Sequence, residues 1–179
     1  MTKILTLNTD GSFLEVNPPT VSAGAGSAGL IPALGSTGAL DISFMPTGIG
    51  ADVQVMIASE ALAAGAFVNV YNNGGVTTVR NALAADNTKP AKGFVLSAVP
   101  TSGQATVYVR GLNNLVPLTG LNAFSTGSNV FLSPTVIGEA TSAIPTTTGS
   151  IAQVIGTVEA IGSSTATVNF SENIWTVRA

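Results

Sequence analysis

The chain contains no cysteine and no histidine. That removes disulfide staples, thiolate or imidazole zinc sites, and every nucleophile or base system built on those two side chains. Charge is nearly as scarce. Six basic and nine acidic residues make up 8% of the sequence and leave a formal net charge of -3, where a soluble domain typically carries about 25%. A surface this poor in charge is made of Thr, Ser, Asn, Gly and Ala, or is covered by partners. The composition therefore favours a subunit that works inside a larger assembly.

The basic residues Lys3, Arg80, Lys89, Lys92, Arg110 and Arg178 stand singly. Binding nucleic acid needs a patch that neutralises several phosphates, so no nucleic-acid partner is expected. No apolar run approaches the roughly 20 residues that cross a bilayer, and Lys3 is followed by Thr, Asn and Asp instead of an unbroken apolar stretch. Neither a membrane partner nor a secretory leader is expected, which implies synthesis in the cytosol.

What is present is strand-like. Of 179 residues, 20 are glycine and 9 proline, and the length suits one domain or one domain with an arm. The alternating runs Ile4-Leu5-Thr6-Leu7 and Phe13-Leu14-Glu15-Val16 flank Asp10-Gly11, which predicts a hairpin turning tightly at that dipeptide. Pro18-Pro19 stops it. Residues 20–50 are rich in Gly, Ala, Ser and Pro with spaced hydrophobes, too sparse to form a core. They read as an extended N-terminal arm that drops one hydrophobe at a time into shallow pockets, the alternative being a flexible tail.

From Ala51 the strand signals recur every 10 to 15 residues. Val53-Gln54-Val55-Met56-Ile57 and Phe67-Val68-Asn69-Val70-Tyr71 alternate. Asn72-Asn73-Gly74-Gly75 turns into Val76-Thr77-Thr78-Val79, and residues 93–99 form a nearly continuous apolar run expected to lie centrally. Ala105-Thr106-Val107-Tyr108-Val109-Arg110 alternates again, and further strands fall at 112–118, 129–133, 151–160 and 164–170. The apolar stretches 59–64 and 82–86 are too short for helices and read as turns. The expected fold is all-β: a small antiparallel barrel or sandwich of about eight or nine short strands. The expected organisation is a hairpin and arm over 1–50, the body over 51–170 and a tail over 171–179.

Catalytic chemistry is missing from this pattern. The carboxylates Asp10, Glu15, Asp41, Asp52, Glu60, Asp86, Glu139, Glu159 and Glu172 stand alone, without the pairing of an acid/base couple or the alternation of a calcium loop. Asp52 and Asp86 read as turn formers that bond nearby backbone. Residues 24–29 match G-x-G-x-x-G but lack the preceding strand and following helix that give that motif meaning. No Lys-Ser/Thr follows Gly149 or Gly156 to make a phosphate loop. No catalytic residue, metal ligand or cofactor site is expected, and the chain is not expected to be an enzyme.

Several segments together resemble tailed-bacteriophage virion structural proteins. They are residues 22–34 (Ser-Ala-Gly-Ala-Gly-Ser-Ala-Gly-Leu-Ile-Pro-Ala-Leu) and 38–52, then 58–69, 92–96, 130–134 and 151–156. The resemblance runs from about residue 20 to about residue 170. It departs at Gly26-Ser27, where an acidic pair is expected, and at Leu30, where Lys is common; both changes remove charge from the arm. The resemblance implies a capsid cement or decoration protein on the outer surface of the virion's capsid, assembled in the host cytoplasm. Its implied partners are the major capsid protein and further copies of itself, a homotrimer being favoured. Related sequences in tails make a tail, baseplate or tail-fibre component the alternative.

The residues expected to act are therefore contact residues. Val21, Leu30, Ile31, Leu34, Leu40, Ile42, Phe44 and Met45 are assigned to docking of the arm. Tyr108, Arg110, Trp175 and Arg178 are candidate subunit contacts, with Trp175, the only tryptophan, read either as a barrel plug or as an interface anchor. A carbohydrate-binding module would need coplanar aromatics, yet Tyr71, Tyr108 and Trp175 are far apart in a chain that is 6% aromatic.

Overall fold

A computed structural model describes residues 3–36, 38–44, 52–118, 123–173 and 175–179. The chain is all-β and divides into two compact units, Met1–Gly50 and Ala51–Ala179. In the first, β1 (Ile4–Leu7) pairs antiparallel with β2 (Phe13–Val16), from Ile4 opposite Val16 to Leu7 opposite Phe13. The expected hairpin is there, but its loop is longer than a two-residue turn. Asn8 and Ser12 close it through a 2.8 Å backbone bond, and Gly11 takes a φ of +83. Gly11 N donates to Asn8 O at 3.0 Å, so Asp10 sits within a turn over residues 8–11, and its Oδ1 accepts from both the amide (2.9 Å) and the hydroxyl (2.6 Å) of Ser12.

The segment expected to be extended is doubled back instead. The Ala33 amide donates to Pro19 O (2.8 Å) and the Ser22 amide to Ser43 Oγ (2.8 Å), with short 3-10 turns at Gly24–Ser27 and Ile42–Phe44. Asp41 fixes the second turn by accepting from the Ser43 amide. None of the described residues of this unit whose burial is defined is buried.

The second unit opens with a closed barrel. β3 (Val53–Ala58), β4 (Phe67–Asn73), β5 (Val76–Asn81), β6 (Gly93–Phe94) and β7 (Gln104–Tyr108) run in the spatial order β3-β7-β6-β4-β5. The ring closes where β5 meets β3 in parallel, Ala58 beside Val79. Its interior is filled by Met56, Ala58, Leu62, Val68, Val79, Val95, Val99, Ala105 and Val107. Of the run 93–99, Gly93, Phe94, Val95 and Val99 are buried while Ser97 and Ala98 are exposed, and it pairs as a strand only over β6. Beyond Phe94 its backbone serves the 62–66 loop, with Val95 N donating to Ala66 O and Val99 bridged to Leu62.

The rest of the body repeats this plan. β8 (Arg110–Pro117), β9 (Asn129–Leu132), β10 (Ala140–Thr141), β11 (Ile151–Ile161) and β12 (Thr165–Ser171) are ordered β8-β12-β11-β9-β10, the same succession in chain and in sheet. The registers correspond pair by pair. Met56 opposite Ala105 is matched by Val116 opposite Ala166, Val68 opposite Gly93 by Val130 opposite Gly156, and Phe94 opposite Tyr108 by Thr157 opposite Asn169. The turns agree as well: Gly65 N donates to Val95 O and Gly127 N to Val158 O, both at 2.8 Å, and both glycines have a φ of +82. Gly93 and Gly156 allow the same close approach. A Cβ would stand 2.7 Å from Val107 Cγ1 at the first and 2.9 Å from Val168 Cγ1 at the second. Residues 52–109 and 110–171 are thus two copies of one five-strand unit.

The copies differ at the seam. In the second, β10 has only two residues and does not reach β8, so its sheet stays a half-barrel. Backbone from the first repeat fills the gap. Phe67 N donates to Gly138 O, Gly138 N to Ala82 O, Ala84 N to Ser133 O and Ile151 N to Ala84 O, all at 2.8 to 2.9 Å. The Asn113 side chain donates to Gly65 O at 2.8 Å, and Gly65 packs on the backbone of Leu115 so tightly that a Cβ would lie 2.8 Å from Leu115 Cβ. Fully buried Gln153 completes the join, accepting from Ala91 N and donating to Ala91 O at 2.8 Å each. Phe67, Phe94 and Phe170 meet across the junction at ring separations of 5.7 and 5.9 Å. The residues expected as a C-terminal tail include β13 (Trp175–Val177), which pairs with the start of β11.

Candidate interface surfaces

Exposed apolar groups mark the described surface of this chain. Paired residues of a hairpin share a face. Leu5, Leu7 and Phe13 therefore form one apolar row, exposed at 68, 67 and 76%, beside the 2.7 Å Lys3–Glu15 ion pair. Of the residues assigned to arm docking, Val21, Leu30, Ile31 and Leu34 are exposed, and Leu40 and Phe44 half-buried. Val21 and Leu40 come together along one shallow cleft with Asp41; Leu30, Ile31 and Leu34 do not line it. Ile42 sits in the second 3-10 turn, its side chain outside the described set, and Met45 lies outside the described residues altogether.

The four candidate contact residues of the body separate. Tyr108 is half-buried and stacks on Phe94 at 5.3 Å, so it serves the chain's own core. Arg178 is held within the chain, its Nε donating to Pro145 O at 3.0 Å. Arg110 is exposed and its Nε lies 4.0 Å from Asp52 Oδ2. Trp175 packs against the core while Lys92 Nζ lies 4.8 Å from its ring centroid and pairs with Glu172. Arg110 and Trp175 do come together, lining one open cavity of about 450 Å³ with Glu172 and Asn173. The three rings weighed as a carbohydrate platform are differently engaged: Tyr71 under Arg80 at 4.1 Å, Tyr108 on Phe94 and Trp175 under Lys92.

Most carboxylates have local structural partners. The Thr88 hydroxyl (2.7 Å) and amide (2.9 Å) hold Asp86 below the usual carboxylate range, as the turn reading expected, and Ser12 and Ser43 do the same for Asp10 and Asp41. Glu60 accepts from the Asn81 amide and side chain at 2.8 Å. Among the described residues no three acidic groups are placed to hold a metal ion.

One surface was not singled out by sequence reasoning. β3 turns Val53, Val55 and Ile57 outward, exposed at 40, 64 and 40%, and β5 reaches it only at Ile57 and Ala58. Residues 53–56 therefore present an apolar face and a strand edge unpaired among the described residues. Their alternation was legible; which face lay outside depended on barrel closure. No protein-family model, curated protein or solved structure matches the chain.

Proposed function

We propose that the chain is a non-enzymatic virion structural protein, a cement or decoration subunit that binds the outer face of a tailed phage's major capsid shell and stabilises it as a homo-oligomer, with a trimer favoured. The observation that carries this reading is the N-terminal unit. It displays Leu5, Leu7, Phe13, Val21, Ile31 and Leu34 at 58 to 76% exposure and has no buried residue among those described. Such a segment gains its ordering free energy from a partner, and apolar patches of this kind mark binding surfaces. The rest of the reading comes from the resemblance of residues 22–34 and 38–52 to phage virion proteins. In this role the barrel and half-barrel supply a stiff body, the N-terminal unit is the arm, and neither needs a reactive group.

The test is reconstitution on particles that lack the protein. Added full-length chain is expected to bind with saturable stoichiometry and to raise the temperature at which the heads release DNA, while a chain lacking residues 1–50 does not bind. Binding confined to tails, with head stability unchanged, would replace this reading by the tail, baseplate or fibre alternative.

A further inference from the structure

The two repeats meet through unlike surfaces. The first contributes the strap around Gly65, and the second receives it on β8, where Asn113 donates to Gly65 O and Leu115 packs beneath the strap. Because the repeats share one plan, each of these surfaces has a counterpart elsewhere in the chain. The strap's counterpart is the turn at Gly127, with the same φ of +82 and an equivalent backbone bond, from its N–H to Val158 O. Nothing lies within 4 Å of where a Cβ on Gly127 would be, and both Thr126 and Gly127 are exposed.

The counterpart of the receiving surface is β3. Asn113 stands opposite Val168 and Gln54 opposite Val107, so these two amides occupy equivalent positions. Asn113 is fully buried under the strap; Gln54 is exposed. The bulged pair Asn114-Leu115 corresponds to Val55, which is 64% exposed. One chain therefore carries a used strap on a used strand edge, and an unused copy of each.

We propose that the junction between repeats recurs between chains: the Gly127 turn of one copy docks on the β3 edge, residues 53–56, of the next. Gln54 then donates its amide to Gly127 O as Asn113 does to Gly65 O, and Val55 is covered as its counterpart Leu115 is. An interface between unlike surfaces runs head to tail and closes as a ring when its rotation allows. The partner is a second copy of this chain, whatever the assembly is mounted on, so the inference stands apart from the capsid reading.

The test uses full-length protein and two exposed-site variants, Val55→Arg on the receiving edge and Thr126→Arg beside the donating turn. Native mass spectrometry of wild type is expected to show a closed oligomer. Each variant alone is expected to be monomeric with an unchanged melting temperature, and their equimolar mixture to form a 1:1 heterodimer and nothing larger, because one intact end remains on each. Gln54→Ala, which adds no charge, is expected to weaken wild-type association by roughly tenfold, the loss of one hydrogen bond. A wild type that stays monomeric at the highest concentration it tolerates, variants that oligomerise like wild type, or a mixture that remains monomeric would each overturn the proposal.

Discussion

Gly65 and Gly127 form a natural control for what a glycine contributes. They share a φ of +82, so replacing either with alanine meets the same left-handed backbone cost of about 1–2 kcal/mol. Only Gly65 lies against another strand, with Leu115 in the space a methyl group would take. Overpacking adds about 1–3 kcal/mol there. Chemical denaturation is expected to show Gly65→Ala destabilised by about 3 kcal/mol or more and Gly127→Ala by about 1 kcal/mol. Gln153 gives a second residue-scale expectation. Gln153→Leu strands the buried amide and carbonyl of Ala91, and the penalty of about 1–3 kcal/mol for each orphaned group should appear as a lower urea midpoint at unchanged slope.

Acid sensitivity also belongs to single residues. Asp86 has a pKa depressed by the Thr88 hydroxyl and amide. The stability it contributes is complete above its unfolded pKa, near 4, and is lost as pH falls through the lower folded value. The gap between the melting temperatures of wild type and Asp86→Asn should therefore be widest at neutral pH and shrink as the pH falls below about 4.

At the scale of elements, the seam decides which repeat can stand alone. The first closes on itself through Ala58 and Val79 and encloses its own core. The second depends on residues 65–67 and 82–84 of the first to fill the space between β8 and β10. A fragment of residues 110–179 is expected to give a disordered circular dichroism spectrum and to gain β signal when residues 51–109 are supplied. Cooperative unfolding of the isolated second repeat would show that its half-barrel needs no closure.

Much of the strand pattern was legible because alternation of Val, Thr and Ala reports a half-buried strand wherever it occurs. The hairpin and the strands at 151–160 and 164–170 came through within a residue or two. The duplication did not, although Ala-Thr-Val stands at both 105–107 and 166–168. Its two copies bury different things: Phe67, Phe94 and Tyr108, turned toward the junction, are matched by Asn129, Thr157 and Asn169. Interface residues diverge when one copy faces a partner and the other does not. The same effect hid the β3 edge, whose apolar side chains look like core until closure of the barrel places them outside.

At the scale of the whole molecule, a double-repeat body follows an N-terminal unit with no buried residue among those described. Removing residues 1–50 is expected to leave the melting temperature of the body within a degree or two, since stability resides in buried contacts, while abolishing attachment. The most direct measurement is electron microscopy of intact virions carrying a small gold label at Trp175 or the N-terminus. The account predicts label in a repeated array over the entire head; label restricted to the tail or its tip would contradict it.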